Sequence, residues 1–347
     1  MRILCIDCEG PITLNDNAFE ICQSFLPCGD KFFTIISRYD DYLADVIKKE
    51  GYTAGGTLKL IVPFFKAYRL TNEKIKQFSK RSLKFVPGAK DMLKNLKSEI
   101  QIFIISTSYS PYIDALCEII DLPRENTFST PLDLDSYFIS ENEKKQLIKI
   151  YQRILKFSLS PPDKNEQISI ETKKTLEKLD EIFFHQIPSM KCGNIFKKVN
   201  PVGGKEKARI VKKIAKEKKC RIEDIIYIGD SITDAVALRL VKEKGGVAIS
   251  FNGNFYALRE AEFACISNNA LPLFLIIKNF KEEGKKGVEK IAFNWPEKLK
   301  KEDKEKLFSL NYPGSFILIE KKNIADIIRL SEEIRKKIRG EEIGKLG

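Results

Sequence analysis

Ile3-Leu4-Cys5-Ile6-Asp7-Cys8-Glu9-Gly10 is an apolar run that stops at a carboxylate, with a second carboxylate two residues on. Four consecutive apolar residues before a glycine suit a strand buried on both faces. Strand side chains repeat every two residues, so Asp7 and Glu9 leave the strand end on one side. Far along the chain, Ile225-Ile226-Tyr227-Ile228-Gly229-Asp230-Ser231-Ile232-Thr233-Asp234 repeats the pattern. Two buried strands ending in acids, with a lysine between them in sequence, point to a magnesium-dependent aspartyl-phosphate site.

Outward from the first strand, a Gly10-Pro11 turn leads into a helix-rich region, with apolar residues at helical spacing over 17–25, 30–50 and 57–68. Thr71 is the expected N-cap of a further helix, with Lys74 leaving the capping box incomplete. Phe85-Val86-Pro87-Gly88 breaks the region, and a short helix over 89–97 precedes a second buried strand, Ile100 through Ile105, ending in Ser106-Thr107-Ser108. A helix over 111–120 and a strand near 126–134 follow. Residues 139–190 read as an insertion of two amphipathic helices, 141–157 and 169–185, around the turn-rich stretch 160–165. Gly203-Gly204-Lys205 opens a basic helix, and short strands are expected at 247–251, 263–266 and 315–319. The isoleucines at 324, 327, 328 and 334 form a stripe of the kind that packs into a core. Helices alternating with continuous apolar strands imply an α/β fold with a doubly wound parallel sheet, whose ligands sit beyond the carboxyl ends of the strands.

The 347 residues are 43% hydrophobic, enough for more than one module. No apolar stretch reaches about eighteen residues and no secretory signal is visible, so the expected setting is cytoplasmic, without a membrane span. The eight cysteines are scattered among apolar neighbours. Cys5 and Cys8 fall on opposite faces of a strand, so buried thiols are the better reading than a metal or redox pair. The net charge of +12 invites a nucleic-acid partner. Lysines interleaved with glutamates, as at 205–207 and 217–219, instead describe solvated helix faces, and nucleic acid is disfavoured. His185 is the single histidine, which argues against a histidine phosphatase. Six residues separate Cys117 from Arg124, so no cysteine-phosphatase loop is present, and Gly203-Gly204-Lys205-Glu206 lacks the frame of a P-loop.

The order of the motifs resembles the haloacid dehalogenase superfamily, most of whose members are phosphatases. Asp7-Cys8-Glu9-Gly10 stands for its first motif, Phe103-Ile104-Ile105-Ser106 for its second, Gly204-Lys205-Glu206-Lys207-Ala208 for its third, and Gly229-Asp230 through Asp234 for its fourth. Each motif alone would suit a solvated turn or helix cap; four in order, at strand or helix ends, do not. The resemblance implies a Rossmann-like catalytic core over 1–14, 85–138 and 190–270. It also implies an inserted helical cap over 15–84, while the residues themselves give a second helical insertion over 139–189 and a basic C-terminal extension over 271–347.

The resemblance further implies that Asp7 attacks phosphorus, that Glu9 is the acid/base, and that Lys205 neutralises the phosphoryl group, with Lys207 as its rival. Ser106 and Thr107, with the backbone of Ser108, would bind the phosphate. Mg²⁺ would be held by Asp7, Glu9 through its carbonyl, Asp230 and Asp234. Glu9 stands where the family usually has aspartate, and Pro11 where it often has threonine. The expected function is Mg²⁺-dependent hydrolysis of a small phosphorylated metabolite, with Arg38, Lys59 and Arg69 as candidate specificity residues in the cap. The segment from Asp7 to Glu20 also resembles an archaeal group named for subunit R of energy-converting hydrogenase. That likeness implies an accessory protein with a vestigial site in a hydrogenase complex; a homo-oligomer, with 139–189 as a dimer contact, is a separate expectation.

Overall fold

The computed structural model describes residues 1–162, 168–310 and 312–344; of the expected turn at 160–165, residues 163–165 lie outside the described residues. Seven strands form one sheet in the order β3-β2-β1-β4-β5-β6-β7. They are β1 (Ile3–Ile6), β2 (Gln101–Tyr109), β3 (Thr127–Thr130), β4 (Ile225–Gly229), β5 (Val247–Phe251), β6 (Phe263–Ile266) and β7 (Ser315–Leu318). All neighbours are parallel except β6 and β7. The expected doubly wound α/β fold is therefore present.

Strand β1 shows why the apolar run is continuous. Leu4 and Ile6 enter one apolar cluster, against the helices Ala89–Leu96, Ser110–Ile120 and Leu271–Glu283. Ile3 and Cys5 enter another on the opposite face, against Lys205–Glu217 and Ala235–Glu243. Both faces are dry, as crossover helices require. Cys5 and Cys8 divide between the two faces and, like all eight cysteines, are free thiols.

A third cluster holds the helices between β1 and β2. Residues of Asn17–Phe25, Gly29–Asp41, Val62–Ala67 and Asn72–Ser82 share it with Glu141–Ile154, Ile170–Asp180 and the turns up to Val199. The two inserted segments thus make one apolar body. Thr71 caps its helix as expected, accepting from the Lys74 N–H. The stems of the first segment zip together. The Leu14 N–H donates to the Lys84 carbonyl at 2.8 Å, and the Val86 N–H to the Ile12 carbonyl at 2.9 Å. The Asn15 amide braces the same stems, donating to the Ser82 carbonyl and accepting from the Lys84 N–H.

The segment after residue 270 differs from the expected appendage. Leu271–Glu283 fills the core, β7 extends the sheet, and the helix Ile324–Arg339 buries Ile327 against Leu258, Ala264 and Ile266. Its basic residues alternate with an apolar stripe, so composition alone hides a core element. No helix among the described residues is long and apolar enough to cross a membrane.

Candidate active site

β1 lies between β2 and β4, so the chain departs in opposite directions from adjacent strand ends and leaves a crevice there. Asp7 and Asp230 follow β1 and β4 directly, and the Asp7 N–H donates to the Ile228 carbonyl at 2.9 Å. Gly10 (φ +105°) lets the loop after β1 press on Asp230: a Cβ there would stand 2.3 Å from the Asp230 Cγ. Gly229 is needed for the same reason, since its Cβ would meet the Asp234 carboxylate at 2.3 Å.

Lys207 joins the two strand ends. Its Nζ donates to Asp7 Oδ2 at 2.6 Å and to Asp234 Oδ1 at 2.8 Å, and the side chain is fully buried. This corrects the expectation of Lys205, which is exposed. Both lie in the first turn of the helix Lys205–Glu217, but two residues rotate a helix by about 200°, so only one can face the sheet. Asp234 is saturated. Its Oδ1 also accepts from the Tyr227 hydroxyl at 2.7 Å, and Oδ2 accepts from the N–H groups of Asp230 and Ser231.

The two carboxylates that share this ammonium diverge in acidity. Burial, with the charges of Asp234 and Asp230, pushes Asp7 well above the ordinary carboxylate range against the pull of Lys207. Burial acts on Asp234 too, but Lys207, the Tyr227 hydroxyl and the backbone N–H of Asp230 outweigh it and hold the group low. Asp234 is then the permanent anion. Asp7, with one donor to each oxygen, is the basic and accessible one.

A cavity of ≈ 110 Å³ opens over Asp7, far smaller than the roughly 300–1,000 Å³ of a drug-sized site. Thr107, Ser108, Glu9 and Asp230 line it, with Gly55 and Thr57 closing it from the helical body. Gly55 (φ +98°) brings that loop against Thr107 and Gly203. Asp40 holds the loop, accepting from the N–H groups of Gly55 and Thr57. Of the expected phosphate donors, Thr107 and Ser108 line the cavity and Ser106 does not. β2 does not stop before Ser106 but runs irregularly on to Tyr109, so Ser106 is buried and gives its hydroxyl to Ser108. Thr107 and Ser108 face the cavity, and Thr107 Oγ1 is a buried hydroxyl without a hydrogen-bond partner.

Glu9 reaches the cavity wall as expected, with Oε1 accepting from the Asn17 N–H at 2.7 Å. Burial and then the neighbouring Asp16 push its carboxyl well above the usual range, favouring the protonated acid. A cavity of ≈ 600 Å³ adjoins, sharing Ser37 and Asp41 with the small one. Arg38 lines it and donates to the Leu159 carbonyl, but neither Lys59 nor the exposed Arg69 does.

Sequence reading missed two arginines. Arg335 and Arg339 reach the small cavity from the helix Ile324–Arg339, and both pair with Asp230 Oδ2, Arg339 at 3.0 Å. A signal was available: Ile327, Ser331 and Arg335 are four residues apart on one buried face, so two arginines end an apolar stripe.

One oxygen from each of Asp7, Asp230 and Asp234 lies within 4.8 Å of the others, and a hard cation prefers such donors. Mg²⁺ nevertheless does not fit the set as folded. Both Asp234 oxygens are taken by hydrogen-bond donors, and Asp230 Oδ2 by two guanidinium groups. Asp7 and Asp234 pair with Lys207, and Asp230 with Arg335 and Arg339. Of the expected magnesium ligands, Asp7, Asp230 and Asp234 are brought together, each already paired with a cation of the protein itself.

The solved structure of an Archaeoglobus fulgidus gene product superposes with a TM-score of 0.82 at 30% identity, covering 100% of this chain and 99% of that one. The chain belongs to that protein's family. A substrate-bound phosphoserine phosphatase is far more distant, at TM-score 0.48 and 15% identity, over 80% of this chain and 97% of that one. A haloacid dehalogenase family hydrolase from Salmonella enterica serovar Typhi gives 0.44 and 14%, over 79% and 70%. At that distance neither carries an argument about activity. No protein-family model and no curated protein matches the sequence.

Proposed function

We propose that the chain is a phosphoric monoester hydrolase of the haloacid dehalogenase type, acting through a phosphoryl-aspartate. The observation that carries this reading is the convergence of Asp7, Lys207 and Asp234 with the cavity-lining Thr107 and Ser108 at the ends of β1, β2 and β4. Asp7 Oδ attacks phosphorus in line, the P–O bond to the leaving alcohol breaks, and Glu9 delivers its proton to that oxygen. Glu9, now a carboxylate, takes a proton from water, which attacks the phosphoryl-aspartate and releases phosphate and Asp7. Lys207 neutralises Asp7 as it approaches an anion, and Thr107 and Ser108 donate to the phosphoryl oxygens. The small cavity suits the reacting phosphoryl group, and the adjoining one the remainder of a small phosphorylated metabolite.

Screening metabolite phosphates and a generic aryl phosphate, with Asp7→Asn as control, tests the reading. The variant should lose on the order of 10³-fold or more in kcat while remaining folded. Turnover that survives the change would refute the mechanism. A non-catalytic accessory role is the second reading. Pairing of Asp230 with the chain's own arginines favours it, and a clean screen with phosphate binding intact would select it.

A further inference from the structure

We propose that Arg335 and Arg339 are the resident cations of the phosphoryl site, so that a tetrahedral oxyanion binds beside Asp7 without a divalent metal ion. The inference rests on reading this cavity as a phosphoryl site and names the source of its positive charge. Lys207 reaches Asp7 and Asp234 but not Asp230. Two guanidinium groups on Asp230 Oδ2 supply positive charge there from the protein itself.

These arginines are built in. Arg339 Nε donates to the Leu14 carbonyl at 3.1 Å and Nη2 to the Asn15 carbonyl at 2.5 Å, fixing the plane of its fork. Arg335 Nη1 also lies 3.4 Å from the Asp230 carbonyl. Their helix is held by the buried Ser331, which donates to the Gly253 carbonyl at 2.7 Å, and by Ile327 in its apolar cluster. A removable lid would have neither anchor. Guanidinium N–H groups are strong donors to phosphate oxygens, and both arginines line the cavity with Asp7 and the unpartnered Thr107 hydroxyl. A dication at Asp230 would sit beside two buried like charges.

Inorganic phosphate is titrated calorimetrically into the full chain, once with a chelator and once with Mg²⁺. The expected dissociation constants agree within about twofold, and Arg339→Gln weakens binding by about tenfold or more in both conditions, as loss of a charged hydrogen-bond donor predicts. Binding that appears or tightens tenfold only with Mg²⁺ would overturn the proposal, as would full affinity in Arg339→Gln. Arg335→Gln leaves Asp230 short of a buried partner and risks the fold, so it is paired with Asp230→Asn; the chelator comparison on the unmodified chain needs no variant at all. The two readings fail separately. Chelator-sensitive turnover would sink the arginine proposal and leave the hydrolase, whereas metal-free phosphate binding without turnover would do the reverse. No phosphate binding under either condition overturns both.

Discussion

Replacing Lys207 by Met removes one ammonium and leaves Asp7 and Asp234 side by side in a dry interior. Breaking a buried ion pair by deleting one partner costs about 3–5 kcal/mol, because the remaining charge keeps its desolvation penalty. Lys207 is fully buried and serves two carboxylates, so the upper part of that range applies. The loss should also depend on pH. Burial already holds Asp7 above the ordinary range, and without Lys207 it takes up a proton more readily still. The folded variant then binds more protons than the unfolded chain, so its stability rises as pH falls toward the ordinary carboxylate range. Lys207 has its own pKa raised above 10.5, as the attraction of Asp234 and Asp7 outweighs burial. In the unmodified protein its contribution is therefore fully present below 10.5 and fades only above it. Equilibrium urea unfolding at pH 8 and pH 6, with Lys205→Met as the exposed control, measures all of this. The control should change stability by no more than about 0.5 kcal/mol. Equal losses in the two variants, or a Lys207→Met loss that grows on acidification, would refute the reasoning.

Glu9→Gln should depress kcat by on the order of 10²-fold or more. It should also remove the alkaline limb of the pH–rate profile, since a raised carboxyl serves as acid only below its pKa; an unchanged limb would assign it to another group. Glu20 is held at about 7 by burial, against the Asn15 amide that donates to both its oxygens. Its folded pKa lies above the unfolded 4.5, so ionising it costs stability as pH rises between those values. The upper figure is about 3 kcal/mol, at roughly 1.36 kcal/mol per pH unit. Glu20→Gln should raise Tm at pH 8 and have little effect at pH 4, read by scanning calorimetry. Gly10→Ala, with a Cβ 2.3 Å from Asp230 Cγ at a φ of +105°, should cost about 1–3 kcal/mol in urea unfolding and weaken phosphate binding by displacing Asp230.

The sheet was legible because its strands are apolar on both faces, a pattern that survives without context. Asp7 and Asp230 were legible for the same reason: a carboxylate that ends such a run has only the crevice to enter. Lys207 was not singled out over Lys205, since a glycine pair marks where a helix begins and says nothing of its rotation. Ser106 was placed at a strand end because Ser-Thr-Ser looks like a stop, yet the strand continues as an irregular edge to Tyr109. Thr107 and Ser108 therefore face the cavity. Arg335 and Arg339 were hidden by distance, and composition counted them among the charges of a basic tail. Only the docking of their helix on β6 turns them inward.

The bond from Arg339 to the Leu14 carbonyl spans 325 positions of sequence. Loop closure over such a span comes late in folding, after the local helices and neighbouring strands have formed. The contact that fixes Arg339 beside Asp230 therefore forms only once the stretch before the first helical segment and the last long helix have met. The site's charge pairing thus belongs to the finished fold and to no single segment of it.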